Sequence, residues 1–240
     1  MSGLFLAKGG PVIPSFGHAS KCLLHNGWFC TDWITNHWSD ILQPALIQHI
    51  QLTVIAVSIG FGIAFVLAVA GFRWRIVDAP LGVFADFLYT LPSIALFQIL
   101  VPLTGVTVTT VEVALVAFTQ FVLYRNIVAG LRSVPADVLE SARGMGLTRT
   151  QTFVRVELPL ALPAILAGVR IATVATISIA TVAAFLIQDG LGAPIFDALG
   201  TPDIFKTELL AAGGLAIVLA LVADGALAVA QRALTPWSRR

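Results

Sequence analysis

Charge is the first thing this sequence is short of. Only 11% of its 240 residues are Asp, Glu, Lys or Arg, against roughly 25% in an ordinary soluble domain. With 58% of its residues hydrophobic, the chain belongs in a membrane. A net charge of +1 gives no electrostatic basis for holding nucleic acid. Lysine is scarcer still, confined to Lys8, Lys21 and Lys206. None of these follows a glycine, so the phosphate-cradling loop G-x-x-x-x-G-K-[ST] is missing. Any ATP the protein depends on is therefore hydrolysed by another polypeptide. Equally missing are a G-x-S-x-G elbow, an H-E-x-x-H pair and an intramembrane cluster of His with carboxylates. The expectation is a chain that is not an enzyme and has no catalytic, cofactor-binding or metal site of its own. The opening "MSGLFLAKGGPVIPSFGHAS" lacks a basic start followed by an unbroken apolar core, so the first span should serve as the targeting signal.

What is abundant is apolar sequence, in five stretches: about Gln48 to Phe72, Ala79 to Leu103, Val106 to Leu131, Leu160 to Ile187 and Phe205 to Ala230. Each is long enough to cross the hydrocarbon as a helix, the form that satisfies its own backbone. Pro92 in the second, and Pro159 with Pro163 at the start of the fourth, should kink or begin helices there. Nine arginines (Arg73, Arg75, Arg132, Arg143, Arg149, Arg155, Arg232, Arg239, Arg240) fall on one side, against Lys8, Lys21 and Lys206 on the other. Cytoplasmic loops carry the excess of basic residues. The expected protein is all-α and polytopic, with five transmembrane helices in the plasma (inner) membrane, its N-terminus outside and its C-terminus in the cytoplasm. Trp28, Trp33 and Trp38 before the first span, and Trp74 and Trp237 at inner edges, suit interfacial anchors.

This divides the chain into an external tail (1–45), a membrane domain (46–236) with a cytoplasmic loop (133–159), and a short cytoplasmic end (237–240). In the tail, Trp33, Ile34, His37, Trp38, Ile41 and Leu42 recur at helical spacing. Two readings stand: a helix lying on the outer leaflet and ended near Pro44, or one packed on neighbouring loops. Cys22 and Cys30 read as a disulfide in an oxidising compartment. Free buried thiols are the alternative, as is a metal site with His18 and His25, though that spacing matches no strong pattern.

The loop "ESARGMGLTRTQTFVRVELPLALP" (140–163) is too particular for a mere connection. Ser133, Pro135 and Asp137 signal a helix start, Gly144 and Gly146 a stop, and Thr148 with Gln151 a capping box opening a second short helix through about Val156. The result is a knuckle projecting from the membrane; an ordinary amphipathic loop helix is the bland reading. The order Glu140, Ser141, Ala142, then Gly146, then Val156, Leu158 and Pro159 resembles the "EAA...G.........I.LP" signature of permease subunits in binding-protein-dependent (type I, MetI-like) ABC importers. Ser141 for alanine and Val156 for isoleucine are mild departures. "LYTLPSIALFQILVPLTG", "ARGMGLTRTQTFVRVELPLALPAILAGVRIA" and "DGLGAPIF" look like the osmoprotectant branch, which carries glycine betaine, carnitine and choline. The similarity covers about Ile50 to Pro236.

The resemblance implies that Glu140, Ser141, Ala142, Gly144, Gly146, Leu158 and Pro159 belong to a coupling helix seated in a cleft of an ATPase subunit. It further implies two such ATPases carrying ATP and Mg, a second permease, identical or paralogous, and an external solute-binding protein. Another cargo such as an amino acid, or a stand-alone channel or secondary carrier, remains as an alternative.

Four charges fall inside the spans. At about 1.5 Å per residue, Asp86, Arg125, Arg170 and Asp224 lie roughly 10–16 Å from the cytoplasmic ends. Intramembrane charges are costly and pair, so the four are expected to form internal ion pairs that hold the spans in register, the alternative being that Arg125 and Asp224 snorkel to the inner interface. Glu112, Asp189 and Asp197 fall near the outer mouth, where they either draw a cationic solute or solvate the loops. Gln98 and Gln120 are candidates to line a path, and Gly60, Gly62, Gly213 and Gly214 suit close helix packing.

Overall fold

The computed structural model describes Cys22 and residues 26–239; Lys8, Lys21, His18, His25 and Arg240 lie outside them. A short helix α1 (Thr31–Asn36) is followed by a wide turn over Trp38–Leu42 that runs directly into α2 (Gln43–Arg73). Pro44 therefore does not end the segment, and Trp38–Arg73 is one continuous helix of 36 residues. Proline cannot donate to the carbonyl four residues back, and its ring collides with it. Here the preceding turn is widened, with Leu42 N–H bonding His37 O at 3.1 Å, so that the helix passes through the proline. Nor does α1 lie free on a surface: Trp33 is buried, stacked on His37 and edge-on to Phe205.

Cys22 and Cys30 form a disulfide with Cα atoms 5.9 Å apart, which removes their thiols from any metal site. Asn26, at φ 38°, donates to Asp203 O and Ile204 O, both at 3.0 Å, and accepts from Lys206 N–H at 3.1 Å. Asparagine is one of the few residues that tolerates that backbone. The N-terminal segment is thus tied to the far end of the chain.

Two helices follow α2: α3 (Arg75–Thr90) and α4 (Ser93–Thr104). Pro92 does more than kink this stretch, because α3 and α4 diverge by 101°. Leu91 is extended, as a residue before proline prefers to be, and Pro92 caps α4. Then come α5 (Val108–Arg132), α6 (Ala136–Gly144), α7 (Arg149–Thr152), α8 (Leu158–Ala183), α9 (Gly192–Gly200) and α10 (Lys206–Leu234). Pro159 stands in the first turn of α8, yet no break precedes it. A second wide turn over Phe153–Glu157 carries the helix through it, so that Arg149–Ala183 is continuous over 35 residues. Among the described residues four helices are long and apolar enough to cross a membrane, or five if α3 and α4 form one bent span.

Helix α5 is the centre and α10 the edge: 56% of the apolar stretch of α5 is buried, against 11% for α10. Small residues set this arrangement. Ala45, Leu52, Ala56, Gly60, Ala64, Ala68 and Gly71 recur on the buried face of α2; without a hydrophobic drive in lipid, such close van der Waals contact is what holds helices together. Gly60 lies against Thr119 of α5, whereas a Cβ on Gly62, Gly213 or Gly214 would meet no atom within 4 Å among the described residues. Gln120 is likewise buried against α2, donating to Gly60 O at 3.2 Å.

The "DGLG" turn that joins α8 to α9 is held from α2. Gln48 Oε1 accepts Gly190 N–H at 3.2 Å, and His49 Nδ1 accepts Leu191 N–H at 3.2 Å. The other ring nitrogen, Nε2, then carries the proton and donates to Ile177 O at 3.0 Å. His49 is fully buried, with both nitrogens satisfied.

Candidate functional site

The knuckle between α5 and α8 is built by local rules. Asp137 sits in the first turn of α6, where a carboxylate complements the helix dipole. At the other end Gly146 N–H bonds Arg143 O at 2.9 Å and Leu147 N–H bonds Ala142 O at 3.2 Å. That pair of bonds is the Schellman stop, which needs a left-handed residue. Gly146 supplies it at φ 80°, while Gly144 is an ordinary helical residue with open space around it. The Thr148 capping box closes on both sides: Thr148 N–H to Gln151 Oε1 at 2.9 Å and Gln151 N–H to Thr148 Oγ1 at 3.4 Å. Gly146→Ala is accordingly expected to destabilise the knuckle by about 1 kcal/mol, and Gly144→Ala to be neutral or slightly stabilising. Hydrogen exchange of residues 136–152 measures both.

What the knuckle shows to its surroundings is specific. Ala142 is buried, with 1% of its surface exposed, while Glu140, Ser141 and Gly144 are exposed and Met145 is 74% exposed. The Ser141 hydroxyl is internally satisfied by Asp137 O at 2.8 Å, so it places no demand on a partner. Leu158 and Pro159 are half-buried, and Leu158 packs on the core beside Ile127 and Leu131. They root the knuckle rather than face outward.

At and above those roots α5 and α8 approach closely. A Cβ on Gly130 would stand 3.0 Å from Ala161 O and 3.0 Å from Ala164 Cβ, and one on Gly168 would stand 2.5 Å from Asn126 Cβ. Sequence reading missed a second brace. Asp78 of α3 accepts from Tyr124 Oη at 2.9 Å and from Arg132 at 2.8 Å. The signal available was an acid just past Arg73 and Arg75, on the side rich in arginine.

The four intramembrane charges separate into two pairs. Arg125 forks onto Asp86, with its Nε 3.0 Å from Oδ1. Arg170 forks onto Asp224 with both bonds at 2.9 Å and also reaches Gln231 Oε1 at 3.2 Å. Side-chain exposures of 49% and 40% in the first pair, and 31% and 41% in the second, put both on the outside of the bundle. Asp224→Ala strands the Arg170 cation and is expected to lower the thermal stability of the purified chain. Arg170→Met combined with Asp224→Leu should recover most of the loss; a double variant no better than the single one would show that the pair is not coupled.

Glu112, half-buried in α5, has neither carboxylate oxygen hydrogen-bonded. Gln98 is exposed. Asp197 accepts from Gln188 at 3.3 Å near the α9 turn.

The described residues thus form an all-helical bundle with small-residue seams and a capped knuckle rooted on α5 and α8, its two innermost helices. Its backbone superimposes on a chain of the MetNI methionine ABC transporter, solved in an inward-facing conformation, with a TM-score of 0.69 over 80% of this chain and 94% of that one at 21% identity. The chain belongs to the family of binding-protein-dependent transport system inner membrane components, whose model matches residues 56–236. It is 37% identical to the choline transport system permease protein OpuBB of Bacillus subtilis (strain 168), over 79% of this chain and 86% of that protein. To the glycine betaine/carnitine/choline transport system permease protein OpuCB of the same organism it is 35% identical over the same shares. It is thus a permease subunit of an ATP-driven importer, an inner membrane protein.

Proposed function

We propose that this permease takes up a compatible solute bearing a quaternary ammonium group, of the choline, glycine betaine or carnitine type. The cargo reading is supported by its relatives' cargoes. The observation that carries the mechanism is the exposed knuckle, internally capped and rooted on α5 and α8. In this reading α3 and α4 together make one bent span, giving five, with the N-terminus outside and the knuckle and C-terminus in the cytoplasm. ATP and Mg bind on two partner ATPases, whose clefts seat Glu140, Ser141 and Met145; Gly146 and the Thr148 box hold that face in shape. An external binding protein, recognising the ammonium group with aromatic rings, delivers the solute to the outer face. The two outward-facing ion pairs support a second permease, because charge at membrane depth that faced lipid would be costly.

Uptake of labelled choline and glycine betaine into vesicles holding the complete complex tests this. Accumulation should require ATP and the binding protein. Flux through vesicles containing this chain alone would overturn the reading, as would accumulation of an amino acid in place of both solutes.

A further inference from the structure

A cavity of about 970 Å³ lies between the end of α2 and the inner side of the knuckle, lined by Val69, Phe72, Arg73 and Trp74 from α2 and its cap, and by Arg143, Arg149 and Glu157 among others from the knuckle. It is at the upper end of the size range of small-ligand sites. Arg73, Arg143 and Arg149 are exposed, and among the described residues none of their guanidiniums donates a hydrogen bond or forms an ion pair. The chain's other fully described arginines on this bundle that reach a carboxylate, Arg125, Arg132 and Arg170, do so through forked or short contacts. In the cavity the only acid is Glu157, which feels the charge of Arg143 and Arg73. Three guanidiniums against one carboxylate leave the site doubly positive, with unused donors.

Planar guanidinium forks match phosphate oxygens two at a time. The remaining walls are apolar, and Trp74, 59% exposed at the last turn of a membrane-length helix, is the residue type that settles at the headgroup level. We propose that this cavity binds a phosphate-bearing anion, supplied by the headgroup of an anionic phospholipid whose chains run along Val69 and Phe72. A headgroup held there touches the end of α2 and the knuckle at once, and so tethers the knuckle to the bilayer surface. The glycines and caps that shape the knuckle place no arginine on a partner, which leaves the three free for this ligand.

The test uses the complete complex in nanodiscs of phosphatidylcholine with phosphatidylglycerol, extracted into neutral detergent, with retained lipid counted by native mass spectrometry. Phosphatidylglycerol should be retained. Arg73→Gln, Arg143→Gln and Arg149→Gln together should lower retention by at least about tenfold, the scale of lost charge-assisted bonds. Arg75→Gln with Arg155→Gln, exposed arginines outside the cavity, should leave it unchanged. If inorganic phosphate binds with the same arginine dependence and phosphatidylglycerol does not, the phosphate site stands and its source is a free anion. Equal loss in both sets of variants would overturn the proposal, showing only a basic face. So would retention by the isolated chain that disappears in the complex, which would give the cavity to a protein partner. The inference rests on the proposed orientation only for which leaflet it touches. Lipid retention needs no solute and no ATP turnover, so it stands or falls separately from transport.

Discussion

Glu140→Lys combined with Met145→Asp is expected to lower solute uptake and solute-dependent ATP hydrolysis on the order of a hundredfold, the cost of two spoiled interface anchors. Both side chains are exposed, and among the described residues Glu140 forms no ion pair. The knuckle's shape depends instead on backbone bonds at Gly146 and Leu147 and on the Thr148 box. The variant should therefore insert, fold and unfold as the parent does while losing its hold on the ATPase. Uptake at parental rates would mean that force enters the membrane elsewhere.

The second large effect lies in the seam. Gly168→Ala places a methyl group 2.5 Å from Asn126 Cβ, an atom fixed to the backbone of α5 that cannot turn aside. The two innermost helices have to part, at a cost of about 1–3 kcal/mol or more. Thermal unfolding of the purified chain should show it, and import should fall even in the fraction that folds, because the knuckle would no longer move α5 and α8 as one. Asn126→Gly together with Gly168→Ala exchanges which helix carries the side-chain carbon. That pair should recover a substantial part of both losses. A double variant as damaged as Gly168→Ala would show that the close approach is not what couples the helices.

How much of this was legible beforehand follows from the range of the forces. The capping box at Thr148 and the helix stop before Leu147 are set by residues within five positions, and the sequence shows them, though not that Gly146 alone takes the left-handed backbone. The charges at Asp86, Arg125, Arg170 and Asp224 were visible as costly residues at similar depth; which acid meets which arginine depends on helix neighbours. Pro44 misled for a local reason, and before Pro159 the join of α7 to α8 went unseen for the same one. A proline normally ends a helix, but a widened turn two residues before it carries the helix through, and no short pattern announces that turn. His49, Gln48 and Asp78 were missed because each makes its bonds to segments 46 to 142 positions away. The cavity beneath the knuckle was hidden for the same reason, since Arg73 meets Arg143 and Arg149 only after α2 has packed on the bundle.

The most direct test of the central claim is a cross-link. Both cysteines are in the Cys22–Cys30 disulfide and no free cysteine is found among the described residues, so Met145→Cys adds a thiol that can be labelled selectively with a short photoactivatable reagent. In the assembled complex the account predicts an adduct between the permease and the ATPase, with a yield that changes on ATP binding. An ATPase adduct from Phe196→Cys in α9, with none from Met145→Cys, would contradict it.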